Sequence, residues 1–160
     1  MRGIRARVLV KGMIIVSAMI YACTQLGIVI VHQQEMYPSI RDGDLCIACK
    51  KGDYKTQQTV LYYCDEKWHL GRIEAVPGET VNMDENGNFT VNDSVPYETI
   101  YYRTFPDPDS TVSYPLTLES GEYYVLNDYR SQYGDSRSWG PVRREDIKGS
   151  VILLFRHRGF

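Results

Sequence analysis

The feature that most constrains the fold is a run of 20 residues without a charged side chain, from Gly12 to Val31. As an α-helix at about 1.5 Å per residue it would be about 30 Å long, the thickness of the hydrocarbon core of a bilayer. A buried helix and a cleavable signal peptide are the alternatives. The sequence "VHQQEMYP" at the end of the run offers no small-x-small cleavage site. The run therefore predicts an uncleaved membrane anchor at residues 12–31, whose last residues can already belong to the first strand.

Charge predicts the orientation of this anchor. Four basic residues and no acidic residue precede it: Arg2, Arg5, Arg7 and Lys11. The positive-inside bias keeps such a segment cytoplasmic, so we expect a basic cytoplasmic segment at 1–11 and an extracellular domain at 32–160. The whole chain carries a net charge of −2 and has no basic stripe, which argues against a nucleic-acid partner.

The exported part has the pattern of an all-β domain. Short apolar runs rich in β-branched and aromatic residues follow one another, among them "LCIAC", "TVLYYC", "WHLGRIEAV", "TVNM", "FTV", "YYVLN" and "VILLF". The Asn-Gly pair in "DENGNF" (84–89) predicts a hairpin. Residues 97–121 contain three prolines and no clean period, which predicts a long loop that could contact a partner. We therefore predict a mainly β fold built from an antiparallel sheet.

The chain has four cysteines, Cys23, Cys46, Cys49 and Cys64. The C-x-x-C pair, Cys46 and Cys49, lies in a predicted strand, where residues three apart point to opposite faces, so a redox or metal site is not expected. Two alternatives stay open for the exported thiols. Cys64 can form a disulfide with Cys46 or Cys49 across neighbouring strands, or all three can be buried free thiols. No cofactor or metal is predicted.

Three longer stretches occur together with the N-terminal anchor: "EMYPSIRDGD" (35–44), "GRIEAVPGETV" (71–81) and "LNDYRSQYGDSRSWGPV" (126–142). In order and spacing they resemble the type I signal peptidases, a family of Ser/Lys peptidases. The resemblance covers nearly the whole chain and implies a signal-peptidase-like antiparallel β domain. The matching residues serve turns and loop contacts: Met36, Pro38, Gly43, Asp44, Arg72, Pro77, Gly78, Asp135, Ser136, Arg137 and Gly140.

At the three reacting positions of that family this chain has other residues. The family uses a serine before Met-x-Pro, a neutral lysine before the Arg of the Pro-Gly box, and a second serine that orients the lysine. The corresponding positions hold Glu35, Gly71 and Tyr133. Because a hydroxyl activated by a desolvated amine is missing, the resemblance implies a pseudoenzyme that acts by binding. The binding cleft is predicted from Glu35, Met36, Tyr37, Pro38, Arg72 and Tyr133.

Other side chains could in principle replace the missing groups. The candidate nucleophiles are Ser39, Ser136 and Ser138, and the candidate neutral bases are His32, His69 and His157. A turn serine more often bonds its own backbone than it reacts, and no histidine has a recognisable spacing to a serine. Structural roles are predicted for all six.

The resemblance is greatest to signal-peptidase-like proteins of Gram-positive pilus loci, which lack the Ser/Lys pair. It implies an accessory function in sortase-dependent pilin polymerisation at the cell membrane, with pilin subunits or the pilus sortase as partners. The alternative is a signal peptidase I with a remodelled site. A soluble self-cleaving regulator of the related Ser/Lys fold is a third, weaker reading, since it should have neither the anchor nor the C-terminal box.

Two interpretations of Glu35 remain: a remnant without function, or a recognition group. A carboxylate in a cleft built for apolar side chains is costly unless Arg72, a backbone donor, a partner cation or its own protonation stabilises it. This cost favours recognition. The resemblance also predicts that Glu35→Ser, Gly71→Lys and Tyr133→Ser together restore a hydroxyl beside an amine.

Overall fold

The structure, a computed structural model, describes residues 2–50, 52–97 and 102–156, with only the backbone of residues 2–9, 22 and 23. The side chain of Cys23, the candidate base His157 and residues 98–101 of the predicted loop lie outside this description.

The predicted anchor is divided between a helix and a strand. Helix α1 (Arg2–Gln25) ends inside the uncharged run, and strand β1 (Leu26–Ile30) follows without a linker. Gly27 and the β-branched residues after it explain the change, because both disfavour a helix and β-branching favours a pleated strand. The prediction that the last residues enter the first strand is confirmed, but one continuous helix over 12–31 is wrong. The uncharged helical part, residues 12–25, is only about 21 Å long.

Within residues 2–50, 52–97 and 102–156, no helix is both long and apolar enough to cross a bilayer.

The rest of the described chain forms two antiparallel sheets, as predicted. In chain order the elements are β2 (Leu45–Cys49), β3 (Thr59–Cys64), β4 (Lys67–Ala75), β5 (Thr80–Met83), β6 (Phe89–Val91), β7 (Leu116–Thr117), β8 (Glu122–Leu126), α2 (Ser136–Trp139), β9 (Val142–Arg143) and β10 (Ile147–Phe155). The larger sheet has the order β1-β2-β10-β3-β4-β8-β9, and the smaller sheet the order β6-β5-β7. The mainly β fold is confirmed.

The predicted hairpin lies between β5 and β6, which pair antiparallel. The Asp84 carboxylate accepts the backbone N–H groups of Asn86 and Asn88 and the side-chain amide of Asn88. These hydrogen bonds lower the pKa of Asp84 below its ordinary value, and the bonds from Asn88 have the largest effect. The Asn-Gly turn is thus fixed by a carboxylate that closes it from the β5 side.

Strands β3 and β4 separate two of the hydrophobic clusters. In their antiparallel register Tyr62 lies opposite His69 and Val60 opposite Gly71, so these four positions share one face. Tyr62 and Val60 belong to a buried cluster with Ile73, Val125 and Ile147. Leu61 and Leu70 point the other way, into a cluster with Met36 and Cys46. Positions 69 and 71 therefore face the same part of the core.

The exported thiols are free. Cys46, Cys49 and Cys64 form no disulfide, and of the three only Cys46 is buried, whereas Cys49 and Cys64 are half-buried. Cys46 is fully buried. Burial, assisted by the charge of Asp44, raises the pKa of its thiol to about 11. Burial also raises the pKa of Cys64.

Candidate active site

Glu35 forms a buried pair with His69. Oε1 of Glu35 lies 3.3 Å from Nδ1 of His69, and each residue is 7% exposed. With its amide nitrogen turned towards the carboxylate, Gln33 adds hydrogen bonds of 2.8 and 2.9 Å to the two carboxylate oxygens. The backbone carbonyl of Glu35 accepts the N–H of Tyr129, which ties this turn to the loop after β8. The carboxylate is thus held by side-chain donors from two segments of the chain.

Aromatic rings hold the imidazole of His69 from both sides. The Tyr62 ring stacks on it with a centroid distance of 5.6 Å, and the Trp139 ring lies 4.9 Å away at a tilt of 60°. Nε2 of His69 is buried and has no hydrogen-bond partner in the part of the chain that the structure describes. A protonated ring would bury an unpaired charged N–H donor there, which costs more than an unpaired acceptor. We therefore assign the neutral tautomer with the proton on Nδ1, donated to Glu35.

A cleft of about 160 Å³ opens beside this pair. Its walls are mainly apolar, and it is lined by Val29, Ile30, Val31, His32, Gln33, Glu35, Met36, Leu61, Trp68, His69 and Leu70. Of the six residues predicted for the cleft, Glu35 and Met36 line it. Tyr37, Pro38, Arg72 and Tyr133 are not among its lining residues, and a binding role for these four stays a prediction. The cleft extends instead along the end of β1 and the first residues of β4.

Gly71 lies where a side chain has no room. An added Cβ would be 2.4 Å from Cγ1 of Val125 and 3.1 Å from Cε1 of Tyr62. Val125 and Tyr62 are fully buried, so neither can swing into solvent to make space. His69 lies two positions before Gly71 on the same face of β4. Its imidazole, a potential base, therefore contacts Glu35 although position 71 has no side chain.

Tyr133 and Arg72 have contacts other than those predicted. The Tyr133 ring lies over the guanidinium of Arg137 at 4.7 Å and is 37% exposed. The side chains nearest to a Cβ at position 71 are Val125 and Tyr62, not Tyr133. Arg72 pairs with both oxygens of Asp128, at 2.7 and 2.6 Å. His69 and Gln33 contact the Glu35 carboxylate.

The predicted ion pair of the C-terminal box is present and deeply buried. Arg137 donates to Asp135 at 2.8 Å, and neither side chain has any solvent exposure. The same guanidinium donates to the carbonyls of Arg130 and Gln132. Burial opposes the charge of Arg137, but the hydrogen bonds and negative charge of Asp135 outweigh burial and raise its pKa. A second buried pair joins Arg130 to Glu74 on β4. These pairs fix the loop that presents Trp139 to His69.

The glycines and Asp44 that match the family lie in turns. Gly43, Gly78 and Gly140 have φ values of 83°, 87° and 84°, a region that glycine adopts without strain. Pro77 precedes Gly78 in the turn between β4 and β5. A carboxylate oxygen of Asp44 accepts the N–H of Arg41.

The other candidate reactive groups have structural contacts. Ser136 Oγ accepts the N–H of Val125, Ser138 Oγ donates to Asp107, and Ser39 Oγ accepts a 3.4 Å bond from Arg72. His32 is exposed and lies 4.0 Å from Asp42. Within the described ranges, no cluster of His, Cys, Asp and Glu side chains could hold a metal ion.

His69 is the buried partner of Glu35 that sequence reasoning missed. A structural role was predicted for it because it lies in an ordinary strand pattern, 34 positions from Glu35. One signal was available: His69 lies two residues before the family's base position, so it shares a strand face with that position.

The comparisons with known proteins agree on one family. Residues 4–156 match the family described as signal peptidase, peptidase S26. The chain is 25% identical over 142 residues to thylakoidal processing peptidase 1, chloroplastic, of Arabidopsis thaliana, covering 78% of this chain and 40% of that protein. It is 29% identical over 115 residues to signal peptidase I of Leptolyngbya laminosa, covering 72% of this chain and 52% of that protein. The chain thus spans about half the length of the curated relatives it matches.

A solved structure supports the fold. The crystal structure of a signal peptidase I from Enterococcus faecalis V583 superposes with a TM-score of 0.53 at 20% identity, covering 63% of this chain and 98% of that one. At this identity the likeness concerns the fold alone.

These comparisons correct the prediction that the chain is not an enzyme. The two curated relatives both bear the names of peptidases, and this overturns the pseudoenzyme prediction. They favour the alternative, a signal peptidase with a remodelled site.

Proposed function

Since the chain belongs to the signal peptidase family, peptidase S26, we propose that it is an endopeptidase acting on exported polypeptides through a Glu35–His69 site. The observation that carries the proposal is the buried contact between these two side chains at the family's nucleophile position. A carboxylate on one imidazole nitrogen, with the other nitrogen free, is a general-base arrangement.

The site favours water over a side-chain nucleophile. Glu35 fixes the tautomer of His69, and Nε2 is left as a free acceptor. Water attacks the scissile carbonyl carbon while Nε2 accepts its proton. The tetrahedral intermediate then collapses, the C–N bond breaks, and His69 returns the proton to the leaving amine. The atoms balance as hydrolysis of one peptide bond, and no covalent enzyme intermediate forms.

Turnover should be slow. A positioned general base contributes about 10²–10⁴-fold to a rate. Nε2 of His69 is buried, so the surroundings of the imidazole must open before water and a carbonyl reach it. We therefore expect measurable but weak cleavage that is insensitive to serine-directed inhibitors.

The test uses the full-length chain in detergent micelles with precursor peptides that end their signal sequence in small-x-small, followed by mass spectrometry. His69→Ala should lower the cleavage rate about 100-fold or more, and Glu35→Gln should also lower it. Glu85→Gln is the matched control, since Glu85 is exposed in the β5–β6 turn. An absence of cleavage by the unaltered protein, or a rate that His69→Ala leaves unchanged, would contradict the proposal.

The place of action is proposed from the N-terminal segment. The signal peptidase family is membrane-associated, and we propose that residues 1–11 stay cytoplasmic while residues 32–160 lie outside the cell. Four basic residues before the uncharged run support this orientation. A protease added to intact cells should remove the domain after about His32 and spare the N-terminal arginines. Protection of the β domain from that protease would reverse the topology.

A second candidate function is assistance to sortase-dependent pilus assembly through contact with pilin subunits or the pilus sortase. The observation in its favour is the set Glu35, Gly71 and Tyr133 at the three reacting positions. Deletion of the gene followed by a surface-polymer assay tests it. Loss of pilus polymer with normal secretion of other precursors supports this function, and unchanged polymer contradicts it.

A further inference from the structure

The cleft beside Glu35 combines an apolar wall with one buried carboxylate. Val29, Val31, Leu61 and Leu70 form much of the wall, and Glu35 is the acidic group that lines it. None of the described residues that line the cleft is a lysine or an arginine. A small apolar ligand would cover the carboxylate without offering it a cation, which is costly. The lining therefore suits a side chain with a long apolar stem and a positive end.

The charge of the pair supports a cationic ligand. With neutral His69 donating from Nδ1, the Glu35–His69 pair carries one negative charge. Gln33 is uncharged and adds only hydrogen bonds. An ammonium group brought into the cleft would compensate this charge beside a carboxylate that is only 7% exposed, where ion pairing is stronger than at the surface.

The oxygens of Glu35 favour a single-point donor. Oε1 already accepts from His69 and from the Gln33 amide, whereas Oε2 accepts only from Gln33 among these contacts. An ionised carboxylate has about four acceptor sites, so Oε2 retains capacity for one more donor. An arginine guanidinium pairs best when it donates to both carboxylate oxygens at once, whereas a lysine ammonium can donate to one oxygen alone.

Trp68 suits the stem of such a side chain. It lines the cleft, is 50% exposed and packs edge-on against Tyr63 at 5.2 Å. An indole face at a cleft wall can cover methylene groups and attract a nearby cation.

We infer that this cleft binds a lysine side chain of an extended partner polypeptide, with the ammonium on Oε2 of Glu35. The inference rests on the proposed function in that the bound segment is a substrate, and it names the substrate class as polypeptides with a lysine near the scissile bond.

Calorimetry on the full-length chain in micelles tests the inference without relying on cleavage. The probes are four capped hexapeptides that differ at one position: lysine, norleucine, arginine or glutamate. The lysine peptide should bind at least about 10-fold more tightly than the norleucine peptide, which has a similar stem without the charge. The arginine peptide should bind more weakly than the lysine peptide, and the glutamate peptide should bind most weakly of the four.

Variants connect the preference to Glu35. Glu35→Gln should remove the difference between lysine and norleucine, Glu35→Asp should keep part of it, and Glu85→Gln should keep all of it. Glu35→Asp retains the charge, so it answers the question even if Glu35→Gln fails to fold. Equal binding of lysine and norleucine, arginine binding as tight as lysine, no binding of any peptide, or a preference that survives Glu35→Gln would each overturn the inference. A lysine preference without cleavage would keep the lysine-binding cleft but contradict both the substrate assignment and the proposed function. Cleavage without a lysine preference would keep the proposed function and overturn the inference.

Discussion

At the scale of residues, Val125 and Tyr62 leave no room for a side chain at Gly71. Its Cα faces Val125 at a distance that leaves no room for a methyl group. We expect Gly71→Ala to lower the free energy of unfolding by about 1–3 kcal/mol, the usual cost of overpacking. Val125→Ala should offset part of that cost in the double variant, because the two sites are in contact. Chemical denaturation measures both effects.

Gly52→Ala is the control for this prediction. An added Cβ at Gly52 has no neighbour within 4 Å, so its effect should stay within about 0.5 kcal/mol. An equally small effect at Gly71 would show that the sheet relaxes around the new methyl group.

The same packing alters what is needed to install a lysine on β4. The triple change Glu35→Ser, Gly71→Lys and Tyr133→Ser leaves Val125 in place, and Val125 occupies the start of the lysine side chain. We expect the triple variant to be less stable than the natural chain and to show no serine-dependent cleavage. Adding Val125→Ala should recover stability and allow the amine to approach position 35. Activity in the triple variant alone would contradict this steric account.

Cys46 predicts a pH dependence of stability. Burial raises its pKa from 9.0 to about 11. Below pH 9 the thiol is protonated in both the folded and unfolded chain. Between about pH 9 and pH 11 the unfolded chain loses the proton first, so this residue's contribution to stability is lost as pH rises. The difference in unfolding free energy between the natural chain and Cys46→Ala should therefore shrink over that range. A constant difference would mean that the thiolate is tolerated in the core.

At the scale of elements, helix α2 depends on one carboxylate. Asp135 caps its N-terminus by accepting the N–H of Arg137, and the same carboxylate pairs with the Arg137 guanidinium. Asp135→Asn keeps the shape but leaves a buried cation without its charge partner. We expect a loss of about 3–5 kcal/mol in unfolding free energy and a change in Trp139 fluorescence as the loop loosens.

An exposed ion pair provides the matched control. Arg143 and Glu145 lie 3.8 Å apart with side chains that are 72% and 76% exposed. Glu145→Gln should change stability by less than about 1 kcal/mol. If Asp135→Asn and Glu145→Gln lowered the unfolding free energy by similar amounts, the burial of Asp135 would not determine how much it contributes to stability.

At the scale of the whole molecule, the strands were predictable and their contacts were not. Strands β2 and β3 coincide with "LCIAC" and "TVLYYC", because β-branched and aromatic runs between turn residues specify local structure. The end of helix α1 was missed because an uncharged apolar run suits a helix and a strand alike, and only Gly27 and its β-branched neighbours separate the two. Glu35 was located by its motif. Its partner His69 is brought to it by the sheet, and sequence spacing does not encode that contact.

The junction between α1 and β1 also sets how far the cleft can reach. Helix α1 ends at Gln25, β1 begins at Leu26, and the cleft starts at Val29. A flexible tether of n residues would let the cleft explore roughly 5–6 Å × √n around its attachment point, but here the tether has zero length. The cleft therefore stays close to the C-terminal end of α1. A partner that is held near this helix end meets the cleft at high effective concentration, whereas one free in solution gains no such advantage.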